Sequence, residues 1–455
     1  MLASALSGPS NRGFNVKKGV VVVLILLALV VLVSPAIVGR LAEKSMDENL
    51  NWAAQESGDV RVTSENFKRG WFSSEGQHRI ELNEGELKTM VQTMTGTTGA
   101  GGDLPVLVIN TKLDHGLIPV SSMSREQGSL APGLGSAVST MRVEFSDGEG
   151  ADIPGTIYSK VGLGGELLSN YILEAGSHED SGETATWGAT DIKVKTNPKT
   201  GEASFSGSVG SISVDEGDQV VSIGGLTFDG SQEPTDFGLA VGAMSLKLDD
   251  FEVRIGSTAV GGMQSMTVDA SSALDGADVN ADATVSMLFK DLPQFGEASF
   301  DLDFELAGAD AQILARLQRA LDNVGGSQDP MAVYAAVESD ALQLFAAGFE
   351  MNFKRLDLTL PQGTMTSRMM FSFDERDPAD FAWTSLLMTT EATVDVSIPQ
   401  ALVEMLVEMQ PNAAMAIGSG FLVKRGDAYV MNAEMKKGLL NVNGAPIPIP
   451  FGAVR

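Results

Sequence analysis

The sequence predicts a β-rich α+β fold, with one or more long antiparallel sheets, a few amphipathic helices and a single transmembrane helix at the N-terminus. Three observations carry this. Residues 19–38 form an apolar run without a charge. Strand-like alternation broken by glycine-containing turns recurs through most of the remaining chain. Helical periodicity returns only in a few segments after residue 309.

The N-terminal run, Gly19 to Val38, is twenty residues long. As a helix rising about 1.5 Å per residue it spans roughly 30 Å, the thickness of a bilayer's hydrocarbon core. Lys17 and Lys18 precede it, and the positive-inside rule places that end in the cytoplasm and the rest of the chain across the membrane. A cleaved signal peptide is the rival reading, because Val20 to Val33 has signal-peptide length and Ser34-Pro35-Ala36 offers small residues for cleavage. Apolar character continues through Ile37 and Val38, however, and a polar, helix-compatible stretch follows from Arg40 to Gln55. An anchor is therefore expected, and both readings export the remainder. The expected divisions are a cytoplasmic terminus over 1–18, the membrane helix over 19–38 and a juxtamembrane helix over 39–58. An exported β-rich domain over 59–308 follows, then a continuation with helical insertions and closing strands over 309–455.

Beyond the anchor, Val60 to Phe67 alternates apolar and polar residues as a half-buried strand does. Thr89 to Asp103 reads as a loop, and Pro105 to Leu113 and Thr140 to Phe145 as strands. Strands and turns dominate from Thr184 to Leu306, with hairpin chemistry at Asn197-Pro198-Lys199-Thr200-Gly201. Asp301, Asp303 and Glu305 alternate with Phe300, Leu302, Phe304 and Leu306, the wet and dry faces of one strand. Asp310 to Val324 carries Ile313, Leu314, Leu317 and Leu321 on one helical stripe and stops at Gly325-Gly326. Asp329-Pro330 starts a second helix that runs to near Gly348. Leu356, Leu358 and Leu360 mark a further strand. Pro399 to Gln410 is an amphipathic helix, and the C-terminal segment is a closing hairpin and strand. Short connections make the pairing antiparallel.

Composition narrows the function. The formal net charge is −28, and without Arg12, Lys17 and Lys18, the basic residues before Gly39, the remainder carries about −31. Such a surface repels phosphate backbones, which argues against nucleic-acid binding. There is no cysteine, so disulfides, thiol catalysis and thiolate metal sites are excluded. His78, His115 and His178 show no metal-ligand spacing, and no HExxH, GxSxG, GxGxxG or GxxxxGK[ST] occurs. Asp278-x-Asn280-x-Asp282 begins like a calcium loop, but Ala283 stands where glycine is needed and Phe289 where the bidentate glutamate belongs. No cofactor is expected.

Two short motifs stand out. Phe67-Lys68-Arg69-Gly70-Trp71-Phe72-Ser73-Ser74 follows the first strand, and Asp114-His115-Gly116-Leu117-Ile118-Pro119 follows a later one. With the N-terminal anchor and the closing Leu440-Asn441-Val442-Asn443-Gly444 segment, this order resembles the YdgA/YihF family, uncharacterised proteins of the Gram-negative envelope. The resemblance implies inner-membrane anchorage, a single pass, a β-rich body in the periplasm, and no established reaction. Read physically, Arg69-Gly70 is a sharp bend and Trp71-Phe72 a hydrophobic plug, with a partner-binding surface on Trp71 as the alternative. His115 reads as a hydrogen-bonded turn residue rather than a ligand.

The expectation is a membrane-anchored periplasmic binding or scaffold module without enzymatic activity, serving a partner protein, an envelope polymer or a lipid. One alternative is an apolar groove for acyl chains, lined by Val, Leu, Met and Phe, with 21 methionines supplying an adaptable surface. A second is an envelope hydrolase using paired carboxylates. A continuous apolar face would favour the groove, a polar cleft with two convergent carboxylates the hydrolase, and a closed core with one exposed patch the scaffold.

Overall fold

The computed structural model describes residues 60–69, 73–83, 88, 104, 106–115, 135–144, 150–180, 183–197, 199–215, 217–292, 295–324, 330–410 and 414–447. The predicted anchor, the juxtamembrane helix and most of the loop over 89–103 lie outside these residues. No described helix is long and apolar enough to cross a membrane. The chain divides into two units, residues 1–174 with 193–199, and 175–192 with 200–455.

The first unit is an antiparallel meander: β1 (Val60–Arg69), β2 (Ser73–Leu82), β3 (Val106–His115), β4 (Gly135–Glu144), β5 (Gly150–Val161) and β6 (Leu167–Leu173), each paired with the next. Alternation selects one face for burial, and Ile80, Leu107, Met141, Val143 and Ile153 meet on it. Polar residues on that face pair across strands. The Ser64 hydroxyl lies 3.0 Å from His78 Nδ1, Thr111 Oγ1 lies 2.8 Å from Ser139 Oγ, and Ser159 Oγ lies 2.9 Å from Ser169 Oγ. Thr111 and Ser139, both buried, thereby keep a partner where water is excluded.

The second unit begins with β7 (Gly176–Asp180) and β8 (Glu183–Trp187); β9 (Thr190–Thr196) falls partly in each unit. Then come β10 (Ala203–Val209), β11 (Ile212–Asp215), β12 (Gln219–Ile223), β13 (Leu226–Pro234), β14 (Ala240–Leu248) and β15 (Phe251–Ile255). The longest strands follow: β16 (Thr258–Asp275), β17 (Asp278–Leu292) and β18 (Gly296–Asp310). At about 3.3 Å per residue the 18 residues of β16 reach roughly 60 Å. That length gives one edge of β16 room for two partners: β15 pairs with its first part, Thr258 to Met263, and β14 with Met266 to Ser272. The sheet therefore forks. One arm continues through β14, β13 and β10, the other through β15, β12, β11, β8 and β7.

Glycine has a definite use in the first arm. Across β10 and β13, Gly207 faces Phe228 and Gly230 faces Phe205. A Cβ on Gly207 would stand 3.0 Å from the Phe228 ring, and one on Gly230 2.5 Å from the Phe205 ring. Each aromatic ring covers the bare backbone opposite, which restores the packing a glycine forfeits.

On its other edge β16 continues through β17 and β18 to β19 (Phe349–Leu360), β20 (Gly363–Phe373), β21 (Thr390–Pro399) and β23 (Ala428–Lys436). The far edge of β23 holds β22 (Val423–Arg425) and β24 (Leu439–Val442), with β25 (Ala445–Ile447) beyond β24. Each of these pairs is antiparallel, as the short connections predicted. Between β18 and β19 lies a helical hairpin of α1 (Ala311–Val324) and α2 (Pro330–Ala347). Asp310 caps α1 by accepting the Ile313 amide at 2.8 Å. Arg316 ties the pair, donating to Asp340 at 2.7 Å and to Gln343 at 2.8 Å. α4 (Gln400–Met409) matches the helix expected from Pro399. A short helix α3 (Trp383–Thr389) has no counterpart in the sequence reading.

Candidate functional site

The two motifs converge at one end of the first unit. Arg69 ends β1, Ser73 and Ser74 open β2, and His115 ends β3. Ser73 is the register partner of Asp114, and Ser74 pairs with both Arg69 and Leu113. Gly70, Trp71, Phe72, Gly116 and Pro119 lie outside the described residues, so the expected bend and plug are not in view. His115, expected in a turn, is the last strand residue and faces Gly135. Ser74 is buried, which gives it a packing position rather than a contact surface.

Beside this end, the polar face of β1 to β4 forms a recess of about 480 Å3 whose lining includes Asn66, Lys68, Gln77, Asn110, Lys112 and Thr140. The register slips between Glu65 and Lys68, and Asn66 sits there with φ of 56°, a conformation asparagine tolerates better than most residues. Its amide donates to Gln77 Oε1 at 3.0 Å. The lining also includes the carboxylates of Glu75 and Asp114, so the recess presents amides, ammonium groups and acids together, a set that hydrogen-bonds polar ligands. Sequence reasoning missed this recess because it depends on strand register. The Tyr171 phenol is pushed up to about 12 by burial, and its hydroxyl donates to the Pro154 carbonyl at 3.2 Å.

In the second unit, register turns alternation into rows. Leu226, Leu248, Met266, Met287, Phe300 and Leu358 stand side by side across six strands. The next row is Phe228, Leu246, Val268, Val285, Leu302 and Leu356, followed by Gly230, Met244, Ala270, Ala283, Phe304 and Phe353. The Phe304 and Phe353 rings lie 5.0 Å apart. The last row runs on through Met369, Val394 and Ala433 to Val442. No side chain in these rows carries a hydrogen-bonding group.

This face is only partly covered. At one end, Phe345 of α2 packs on Phe349 and Phe373 at ring distances of 5.5 and 4.9 Å, with Leu314 and Leu386 beside them. At the other end, Leu402 and Val403 of α4 pack on Ile398, with Leu360, Met365 and Val396 around them. Between the two helical covers and out to β13, the apolar side chains are half-buried. The buried residues in β13 to β18 are Gly262, Val279, Ala298 and Ala309. With strands about 4.8 Å apart and alternate residues about 6.8 Å apart, the three rows cover roughly 24 Å by 14 Å. A footprint of that order is the size of the largest apolar patch on a typical monomer, a patch that is often functional.

The opposite face is ionic. Arg355 donates to Asp301 and to Asp357, each at 2.9 Å, Lys354 meets Glu305 at 2.9 Å, and Lys290 meets Glu252 at 2.8 Å. Lys290 and Arg254 hold the Glu252 carboxyl below its ordinary value. Asp278, Asn280 and Asp282 occupy alternate positions of β17 on this side, and Asn280 accepts the Gly308 amide at 2.9 Å. Among the described residues no cluster of His, Asp and Glu could hold a metal ion.

No curated protein and no solved structure matches the chain. A family model for bacterial proteins of unknown function, DUF945, matches residues 16–450. The motifs suggested an uncharacterised bacterial family, and at that level the match agrees with them. The chain belongs to the DUF945 family of bacterial proteins.

Proposed function

We propose that this protein is a membrane-anchored, exported binding module that holds the hydrocarbon chain of a lipid on the apolar face of its long sheet, without carrying out a reaction. The narrower resemblance to the YdgA/YihF family, with its inner-membrane anchor and periplasmic body, is part of this reading. One observation carries it: three adjacent rows of side chains, centred on Val268, Val285 and Leu302, are wholly apolar yet only half-buried. A protein partner would ask for about one hydrogen bond per 100–200 Å2 of interface. These rows supply none, whereas a hydrocarbon chain asks for none. The roughly 24 Å width of the rows exceeds the ~15 Å depth of one leaflet's hydrocarbon. Methionines at 244, 266 and 287 adapt to chains of differing shape.

The test is lipid content. Full-length protein, purified in a short-chain detergent and examined by native mass spectrometry, should carry lipid, and a fluorescent hexadecanoyl probe should bind it. Leu302→Asp should lower probe binding at least tenfold. Ser286→Asp, which points to the ionic face, should leave binding intact. A folded wild-type protein that carries no lipid and ignores the probe would end this reading. Alkaline phosphatase fused after residue 60 should be active, and a freely soluble mature chain starting near Ile37 would remove the anchor.

A further inference from the structure

We infer that the apolar face carries a second lipid site over β19 to β24, placed end to end with the one centred on Val285, so that one chain of the protein holds at least two lipids at once. This rests on the reading of that face as a hydrocarbon site, and it adds how many lipids the face takes and where the next one lies.

Register extends the apolar strip well past β18. The row through Phe304 and Phe353 continues as Met369, Val394, Ala433 and Val442. A parallel row stands beside it from Leu306 through Met351, Phe371, Ala392 and Met435 to Leu440. Together with the row through Val268, Val285 and Leu302, these make the strip at least two apolar residues wide on each of ten strands from β13 to β24. Nine spacings of about 4.8 Å make it roughly 43 Å long. The hydrocarbon of one bilayer leaflet is about 15 Å deep, so a single lipid laid along the strip covers less than half of it. The larger side chains of the added part, Met369, Phe371, Val394 and Met435, are only half-buried.

What fits the added part is set by the helices beside it. α2 and α4 lie on this same face, α2 against Phe373 and α4 against the cluster of Ile398 and Met365. Met365 and Phe373 are eight residues apart on β20, about 26 Å, and a helix is about 10 Å across. The floor left between the helices is therefore about 16 Å wide, which admits the paired chains of a diacyl lipid. A second copy of this chain falls short on area. Two rows about 14 Å wide over 43 Å amount to roughly 600 Å2, against about 800 Å2 per partner in a stable interface. An added strand is excluded as well, because each strand of the strip from β13 to β24 is paired on both edges.

The test counts lipids and maps them. Full-length protein in a short-chain detergent is titrated with dihexadecanoyl phosphatidylethanolamine bearing a diazirine near the end of one chain. Native mass spectrometry should show at least two lipids per protein chain at saturation. After photolysis, single chains should carry two adducts, one within β14 to β17 and the other within β20 to β24. Val268→Asp should remove the first adduct and Val394→Asp the second, each lowering the count by one. Should either variant fail to fold, the two adducts on the wild-type chain decide the matter alone. A saturating count of one would overturn the inference and leave the hydrocarbon reading standing, with β20 to β24 free for a partner helix. A count of none would remove both. One lipid shared between two chains would also overturn it, and would assign the strip to an interface between copies.

Discussion

Replacing Leu402 by alanine tests how the helical cover is held. Leu402 is 2% exposed and is the largest of the fully buried side chains. It sits between Ile398 and Val403, with Leu360, Met365 and Val396 packed against the group. Leu→Ala in a core costs about 2–5 kcal/mol, depending on how far the surroundings collapse into the space. A helix lying on a sheet can sink partway, so about 3 kcal/mol is expected. α4 makes few contacts outside this seam, so the loss should fall on local opening rather than on the whole sheet. At 1.4 kcal/mol per tenfold, amides of α4 should exchange about a hundredfold faster while those of β16 to β18 stay unchanged. Leu402→Met, which conserves volume, should cost less than about 1.5 kcal/mol. Unchanged exchange in α4, or an effect spread evenly through the sheet, would refute the reasoning.

Two further outcomes follow from buried and paired polar groups. Lys290 and Arg254 lower the pKa of Glu252 from 4.5, and a depressed folded pKa adds stability that is present above the ordinary value and lost as pH falls through the folded one. The wild-type melting temperature should therefore drop more than that of Glu252→Gln between about pH 6 and pH 3, and equal drops would contradict the assignment. In the first unit, Ser64→Ala removes the hydroxyl 3.0 Å from His78 Nδ1, on a histidine only 2% exposed. Urea unfolding should show a loss of about 1–3 kcal/mol, with Ser64→Thr nearly neutral.

The element types were largely legible in the sequence because they depend on short-range pattern. Leu356, Leu358 and Leu360 alternate, and β19 is there; Ile313, Leu314, Leu317 and Leu321 repeat at helical spacing, and α1 is there. The helix α3 was not legible. Its seven residues follow the N-cap Ala382, which has no side-chain oxygen to cap with, and its start is fixed instead by Ser385 accepting the Ala382 amide at 3.1 Å. For the site, Phe300, Leu302 and Phe304 were assigned to a dry face from alternation alone. That they line up with Met287, Val285 and Ala283, and through them with Met266, Val268 and Ala270, is a matter of register. Register is set by bulges such as those at Met263/Ser265 and Asp303/Phe304, which leave no local signature. Exposure was likewise beyond reach, since an apolar residue on a strand reads the same whether a second layer covers it or solvent does.

From β16 to β21 each strand pairs with its neighbour in the chain, and even the helical hairpin between β18 and β19 leaves those two adjacent. Such a ladder is close to one-dimensional: a strand's stability depends on itself and the two beside it, not on a central core shared by all. Insertion or loss of one hairpin would change the width by two strand spacings, about 10 Å, without repacking the rest. The apolar surface can thus lengthen or shorten in evolution in units of a hairpin, matching its span to what it carries while the architecture stays the same.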